Sequence, residues 1–272
     1  MRLNFQEYSW HNFKPLIMIS FTFAVLLLIA GYFIYGAFTE RVFGVEKDRP
    51  TPSVANPDGI DYVPLPWWKA FLIQFLNIAG LGPIFGAIMG IMYGSAAFLW
   101  IVLGTIFGGA VHDYMSGMMS VRSNGAGQPE LVGRELGGGV KIFMRFFSIG
   151  LMVLVGAVFV SGPAELLNNM TSGYIGVIWW AVIIFTYYIL ATLLPIDKII
   201  GKIYPFFGVA LLIMAVGIMA AMYINNAPVP EFTEGFANQH PKNLPIFPMM
   251  FISIACGAIS GFHATQSPLM AR

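Results

Sequence analysis

The chain has 272 residues, 57% of them hydrophobic and only 10% charged, with a formal net charge of +1. An ordinary soluble domain carries about 25% charged residues, so a water-soluble globular fold is excluded, and the absence of any Lys/Arg cluster excludes a nucleic-acid partner. A single cysteine, Cys256, rules out an intrachain disulfide and a cysteine-built zinc centre.

A bilayer core of about 30 Å takes about 20 apolar helical residues. Measured against that length, the charge-free runs predict an all-α, polytopic membrane protein of about seven transmembrane helices. Residues 1–14 are expected to form an N-terminal segment outside the membrane, and 15–272 a single membrane domain. Residues 15–39 make the first span; they run into "GAFTER" rather than a small-residue cleavage site, so they read as a span and not as a secretory signal. The loop that follows holds "TPSVANPDGIDYVPLPWW" (51–68), dense in turn signals and closed by a Trp pair suited to the membrane interface.

Residues 70–111 contain no Asp, Glu, Lys, Arg or His, which leaves room for two spans hinged near Tyr93-Gly94-Ser95. Inside this run lies "NIAGLGPIFGAIMG" (77–90). Gly80, Gly82 and Pro83 fall within four residues. Pro83 removes a backbone donor and the glycines tolerate unwound geometry, so at least one helix is expected to be interrupted by Gly and Pro. Unwound backbone survives in lipid only where it is buried in protein or lines a watery cavity, and in secondary transporters such breaks bind substrate and coupling ion near the midplane. Asn77, one turn earlier, adds a neutral polar group. Gly80, Gly86 and Gly90 fit equally well the close packing for which membrane helices select glycine.

In "GGAVHDYMSGMMSVR" (108–122), His112 and Asp113 stand about two turns short of Arg122, inside the expected helix end. A carboxylate at that depth must be paired or face water. "VRSNGAGQPELVGRELGGG" (121–139) is a turn-rich loop with a short helix over 129–136. Further spans are expected at 146–164, 177–195, 203–224 and 246–262. Glu165, near the end of the first of these, reads as a solvated helix end. The last segment holds "CGAISGFHATQSP" (256–268), where Gly257 and Gly261 make a G-x-x-x-G pair and His263 is a titratable group deep in an apolar run. His112, Asp113 and His263 are thus the candidates for proton handling, and Ser260 joins Asn77, Gly80, Gly82 and Pro83 as candidates for substrate contact or a hinge. An intramembrane hydrolase using Ser260 or Cys256 with His263, and a signalling or assembly subunit whose glycines serve packing alone, are the readings from other classes. No G-x-S-x-G, H-E-x-x-H or P-loop occurs, so no catalytic residue, metal or cofactor is assigned.

Orientation follows from the basic residues, which concentrate in cytoplasmic loops. With residues 40–69 inside, eleven Lys/Arg fall on the cytoplasmic face and Arg2, Lys14 and Lys242 on the other, which predicts an outside N-terminus.

"NPDGIDYVP", "NIAGLGPIFGAIMG", "GAVHDYMSG", "PELVGRELG" and "FISIACGAISGFHATQSP", in that order, resemble the carbon starvation protein A (CstA) family of bacterial inner-membrane transporters. The resemblance covers about residues 40–272 and implies import of peptides or pyruvate-like carboxylates, with a coupling proton or sodium ion, through a core of broken helices. Members are considerably longer, which implies that this chain is the N-terminal part of a longer transporter. The expected function is therefore a secondary active importer in the bacterial inner membrane, whose partners are a small-molecule or peptide substrate and the lipid bilayer.

Overall fold

The computed structural model describes residues 18–46, 48–193 and 197–272, with the side chains of 197–204 left aside. The segment expected outside the membrane, residues 1–14, lies beyond the described residues. Every regular element among the described residues is a helix: α1 (Ile19–Phe43), α2 (Pro52–Ala55), α3 (Trp67–Ile78), α4 (Leu81–Ile91), α5 (Ala96–Leu103), α6 (Ala110–Arg122), α7 (Gln128–Leu136), α8 (Gly138–Met170), α9 (Val177–Leu193), α10 (Asp197–Ile224), α11 (Phe251–Ala258) and α12 (Gly261–Ala271). A wide π-helical turn, Gly104–Gly109, joins α5 to α6.

Five helical stretches are long and apolar enough to cross a membrane: Ile19–Phe43, Ala96–Arg122, Gly138–Met170, Pro205–Ile224 and Ile246–Ala271. The pair α3 and α4, bent by 48° at its junction, makes a sixth when taken as one span, and α9 is a shorter apolar helix. Each apolar run in the sequence has therefore become a helix. The expected hinge is present as well, since the chain turns between α4 and α5 through Gly94 at φ 92°, a backbone shape that glycine adopts freely.

Two boundaries differ from expectation. The stretch expected at 146–164 runs from Gly138 to Met170, and Lys141 and Arg145 in its added N-terminal turns pair with Glu130 of α7. The last span does not end near residue 262. It breaks after Ala258 and restarts as α12, whose polar residues His263 and Ser267 are buried against the protein rather than held in lipid.

Packing inside the bundle rests on small residues. Lipid tails are as apolar as leucine, so helices associate by close approach and by polar contacts. Gly117 of α6 meets the Ala271 side chain of α12, and Ser120 donates to the Pro268 carbonyl at 3.2 Å. Tyr93, Ala97, Met250 and Ile254 form one buried cluster, and Ala24, Phe98 and Val102 another. At the Arg122 end, that guanidinium donates to the carbonyls of Phe43 and Gly44. At the other end, Glu231 accepts from both the backbone and the hydroxyl of Ser20, closing the start of α1.

Candidate functional site at two adjacent helix breaks

The first break lies where the sequence concentrates its backbone weakness. α3 ends at Ile78, Gly80 is extended (φ −80°, ψ −166°), and α4 starts at Leu81. Pro83 sits in the first turn of α4, where its missing N–H costs no bond within that helix. The second break has no proline. α11 ends at Ala258, Ile259 and Ser260 are non-helical, and Ser260 caps α12 by accepting from the Phe262 N–H at 3.3 Å.

Glycines bring the two breaks together. A Cβ on Gly86 would lie 2.6 Å from the Ser253 carbonyl oxygen, and one on Gly257 would lie 2.6 Å from the Pro83 Cα. Backbone thus touches backbone where α4 crosses α11. Gly82, whose Cβ would stand 3.1 Å from the Cys256 oxygen and sulfur, takes part in the same contact. Hinge and packing are therefore not alternatives for these glycines; one stripe does both. The second break is seated in turn on the π turn, where Gly109 faces the Ala258 carbonyl and Gly108 faces Ile259. Three glycines in "GTIFGG" were the sequence signal for that seat, and a wide turn of this kind recurs at functional positions.

A cavity of about 120 Å³ opens between the breaks. Asn77, Gly80, Gly82, Pro83, Ser260 and His263 all line it, with Cys256 and Phe159. Six of the eight candidate residues thus share one wall. The first turns of α4 and α12 both contribute, so two helix N-termini border the same space. A larger groove of about 790 Å³ adjoins it and shares Asn77, Val155, Phe159 and Phe262.

The remaining two candidates stand behind His263. Its Nδ1 lies 3.7 Å from Asp113 Oδ2, while His112 Nδ1 lies 3.2 Å from Asp113 Oδ1. The side chain of His263 is 4% exposed and that of Asp113 17%, which makes this a largely sequestered charge group. The same imidazole reaches the backbone carbonyl of Ile78, the last residue before the first break. His263 therefore touches the cavity, the free end of α3 and the carboxylate at once. His112, with a side chain 37% exposed, pairs with Asp113 from the other side. Phe159 was not foreseen: nothing in an apolar run marks one phenylalanine as a cavity wall.

The family model "Carbon starvation protein CstA" matches residues 16–179 and 177–268. The chain belongs to the CstA family. An uncharacterized membrane protein of Haemophilus influenzae is 43% identical over 95% of this chain and 83% of its own length. The peptide transporter CstA of Bacillus subtilis is 29% identical over 89% of this chain and 50% of its own, and the pyruvate/proton symporter BtsT of Escherichia coli 26% over 90% and 43%. The chain thus spans half the length or less of these named transporters. No solved structure matches. With its apolar helices, family membership makes this a multi-pass protein of the bacterial inner membrane.

Proposed function

We propose that this chain carries the substrate site of a secondary active importer for small carboxylates or peptides, and that the cavity between the helix breaks is that site. The observation that carries the reading is the convergence of two unwound segments, 160 or more residues apart in sequence, on one space. Two helix N-termini favour an anion there, as half-helices do in transporters of known architecture. A carboxylate is the anion that pyruvate and the C-terminus of a peptide have in common. The volume discriminates between them. About 120 Å³ is less than the roughly 300 Å³ of a usual ligand pocket. A three-carbon acid fits inside, whereas a peptide must extend into the adjoining groove of about 790 Å³.

Coupling is assigned to Asp113 with His263 and His112. His263 stands between the Asp113 carboxylate, 3.7 Å from its Nδ1, and Ile78 at the end of α3, so a charge on its ring acts on both. Protonation in this group is thereby tied to the geometry of the first break. A hydrolase is disfavoured by the same contacts: His263 is turned to Asp113 and Ile78, and among the described residues no hydrogen bond joins it to Ser260 or Cys256. Uptake of labelled pyruvate or dipeptide into proteoliposomes, with and without an inward proton gradient and with sodium as the comparison, tests the reading. Gradient-driven accumulation of either is expected; absence of uptake of both under all gradients would overturn it.

A further inference from the structure

Two aromatic rings stand where the small cavity meets the larger groove. Asn77, Val155, Phe159 and Phe262 line both the space of about 120 Å³ and the space of about 790 Å³, so these four residues form the partition between them. The rings of Phe159 and Phe262 lie with centroids 6.3 Å apart, inclined at 42°. Each ring belongs to a different break. Phe262 is in the first turn of α12, and its N–H donates to the Ser260 hydroxyl at 3.3 Å. The Phe159 ring packs on the first break, where a Cβ on Gly80 would lie 3.2 Å from its Cζ. A third helix fixes the backbone beneath that ring. The Phe159 carbonyl, denied its intrahelical donor by Pro163, accepts from the Tyr188 hydroxyl of α9 at 3.2 Å.

The chemistry of the two substrate classes makes the partition matter. Pyruvate and the C-terminal alanine of a dipeptide share a carboxylate, the carbon next to it and a methyl group. They differ in what that carbon carries beyond. In pyruvate it carries a keto oxygen and the molecule ends there; in the peptide it carries an amide nitrogen and the chain continues. With the carboxylate at the two helix N-termini, a keto acid lies wholly within the small cavity, and only the peptide has to pass the rings to reach the groove. An aromatic wall takes up the room that the peptide link needs and offers no hydrogen bond to its N–H and C=O, which are costly to bury unpaired.

We propose that Phe159 and Phe262 are the selectivity gate of this site, confining it to short-chain carboxylates and closing it to peptides. The inference rests on the transport reading above and adds to it the side chains that choose the substrate.

Phe159→Ala removes one ring and joins the cavity to the groove, and Phe262→Ala opens the same partition from α12. Phe159→Leu keeps an apolar side chain of shorter reach. Phe147→Ala, on an exposed stretch of α8, is the reference for loss of a ring away from the partition. Uptake of labelled pyruvate and of labelled alanyl-alanine into proteoliposomes is measured under one inward proton gradient. The shift in melting temperature that each ligand causes in detergent gives a readout that needs no transport. A hydrophobic pocket discriminates by about 10–200-fold for a single methylene. The ratio of dipeptide to pyruvate uptake is therefore expected to rise at least about tenfold in Phe159→Ala and Phe262→Ala, less in Phe159→Leu, and not at all in Phe147→Ala. The dipeptide is expected to stabilise Phe159→Ala and not the unaltered chain. A purely structural defect lowers both uptakes together and leaves the ratio where it was. A ratio unchanged in both Phe159→Leu and Phe262→Ala overturns the gate and leaves the transport reading standing, as does uptake of the dipeptide by the unaltered chain as readily as pyruvate. If the unaltered chain neither takes up nor is stabilised by either compound, the transport reading fails and the gate falls with it.

Discussion

Two Gly-Pro stretches in this chain meet opposite fates. "GLGP" (80–83) ends one helix and starts another, whereas "SGP" (161–163) lies in the last third of α8 without interrupting it. Proline alone therefore does not break a helix in this bundle. In α8, Pro163 cannot donate to the carbonyl of Phe159, four residues back. The Tyr188 hydroxyl of α9 donates to that carbonyl instead, at 3.2 Å. A neighbouring helix supplies the lost donor, and the α8 helix continues. At Pro83 the surroundings favour unwinding: Gly80 takes an extended shape, the next three turns present Gly82, Gly86 and Gly90 to α11, and backbone contact with Ser253 and Cys256 fixes the new axis. What distinguishes the functional break from a tolerated proline is its neighbours.

That contrast can be broken at either end. The largest effect is expected from Gly86→Ala or Gly257→Ala, where a new methyl would meet backbone at 2.6 Å. Overpacking costs typically about 1–3 kcal/mol, and the upper end or beyond is expected because backbone on both sides cannot step aside. Thermal unfolding in detergent should show it, and uptake should be lost with the fold. Next comes Asp113→Asn, which removes the charge that His112 and His263 face. It should leave the melting temperature within a few degrees yet abolish the stimulation of uptake by a proton gradient; retained stimulation would take Asp113 out of the coupling group.

Tyr188→Phe strands the Phe159 carbonyl, and losing the partner of a buried acceptor costs about 1–3 kcal/mol. Pro163→Ala returns an N–H to that carbonyl. The double variant should therefore be more stable than the sum of the single changes predicts, with a coupling of about 1 kcal/mol measurable in a double-mutant cycle. Additive effects would mean that Tyr188 is not what keeps α8 whole. The smallest effect belongs to the rim. Arg145, 2.8 Å away, holds the Glu130 carboxyl below the usual carboxylate range. A depressed folded value means that this stabilisation is present at neutral pH and is lost as pH falls through it. Glu130→Gln should cost less than about 1 kcal/mol, shrinking further at high salt.

How much of this was legible in the sequence follows from what each signal measures. Hydropathy over about 20 residues found every membrane helix, since length and apolarity are local properties. The first break was legible because Gly80, Gly82 and Pro83 are local as well. The second was legible only as a candidate stretch with Ser260 in it; its unwinding at Ile259 was not, because "GAIS" contains no proline and unwinds against Gly108 and Gly109, more than 140 residues earlier in the chain. Hydropathy also cut the last span short at residue 262, because it averages around the helix and cannot see that His263 and Ser267 face protein. Asp113 and His263 announced themselves as ionisable groups at membrane depth, and only the fold shows them 3.7 Å apart. Phe159 and Tyr188 carry no sequence signal of their own. Their roles come from which backbone or polar atom the fold sets opposite them.

Cys256 allows the central claim, that the paired breaks enclose the substrate cavity, to be tested in the unaltered chain. It is the sole cysteine and lines that cavity. The rate of its modification by a maleimide should fall severalfold when pyruvate or a dipeptide is present at saturating concentration, with no change caused by a non-transported anion such as sulfate. A rate that neither substrate alters would contradict the assignment.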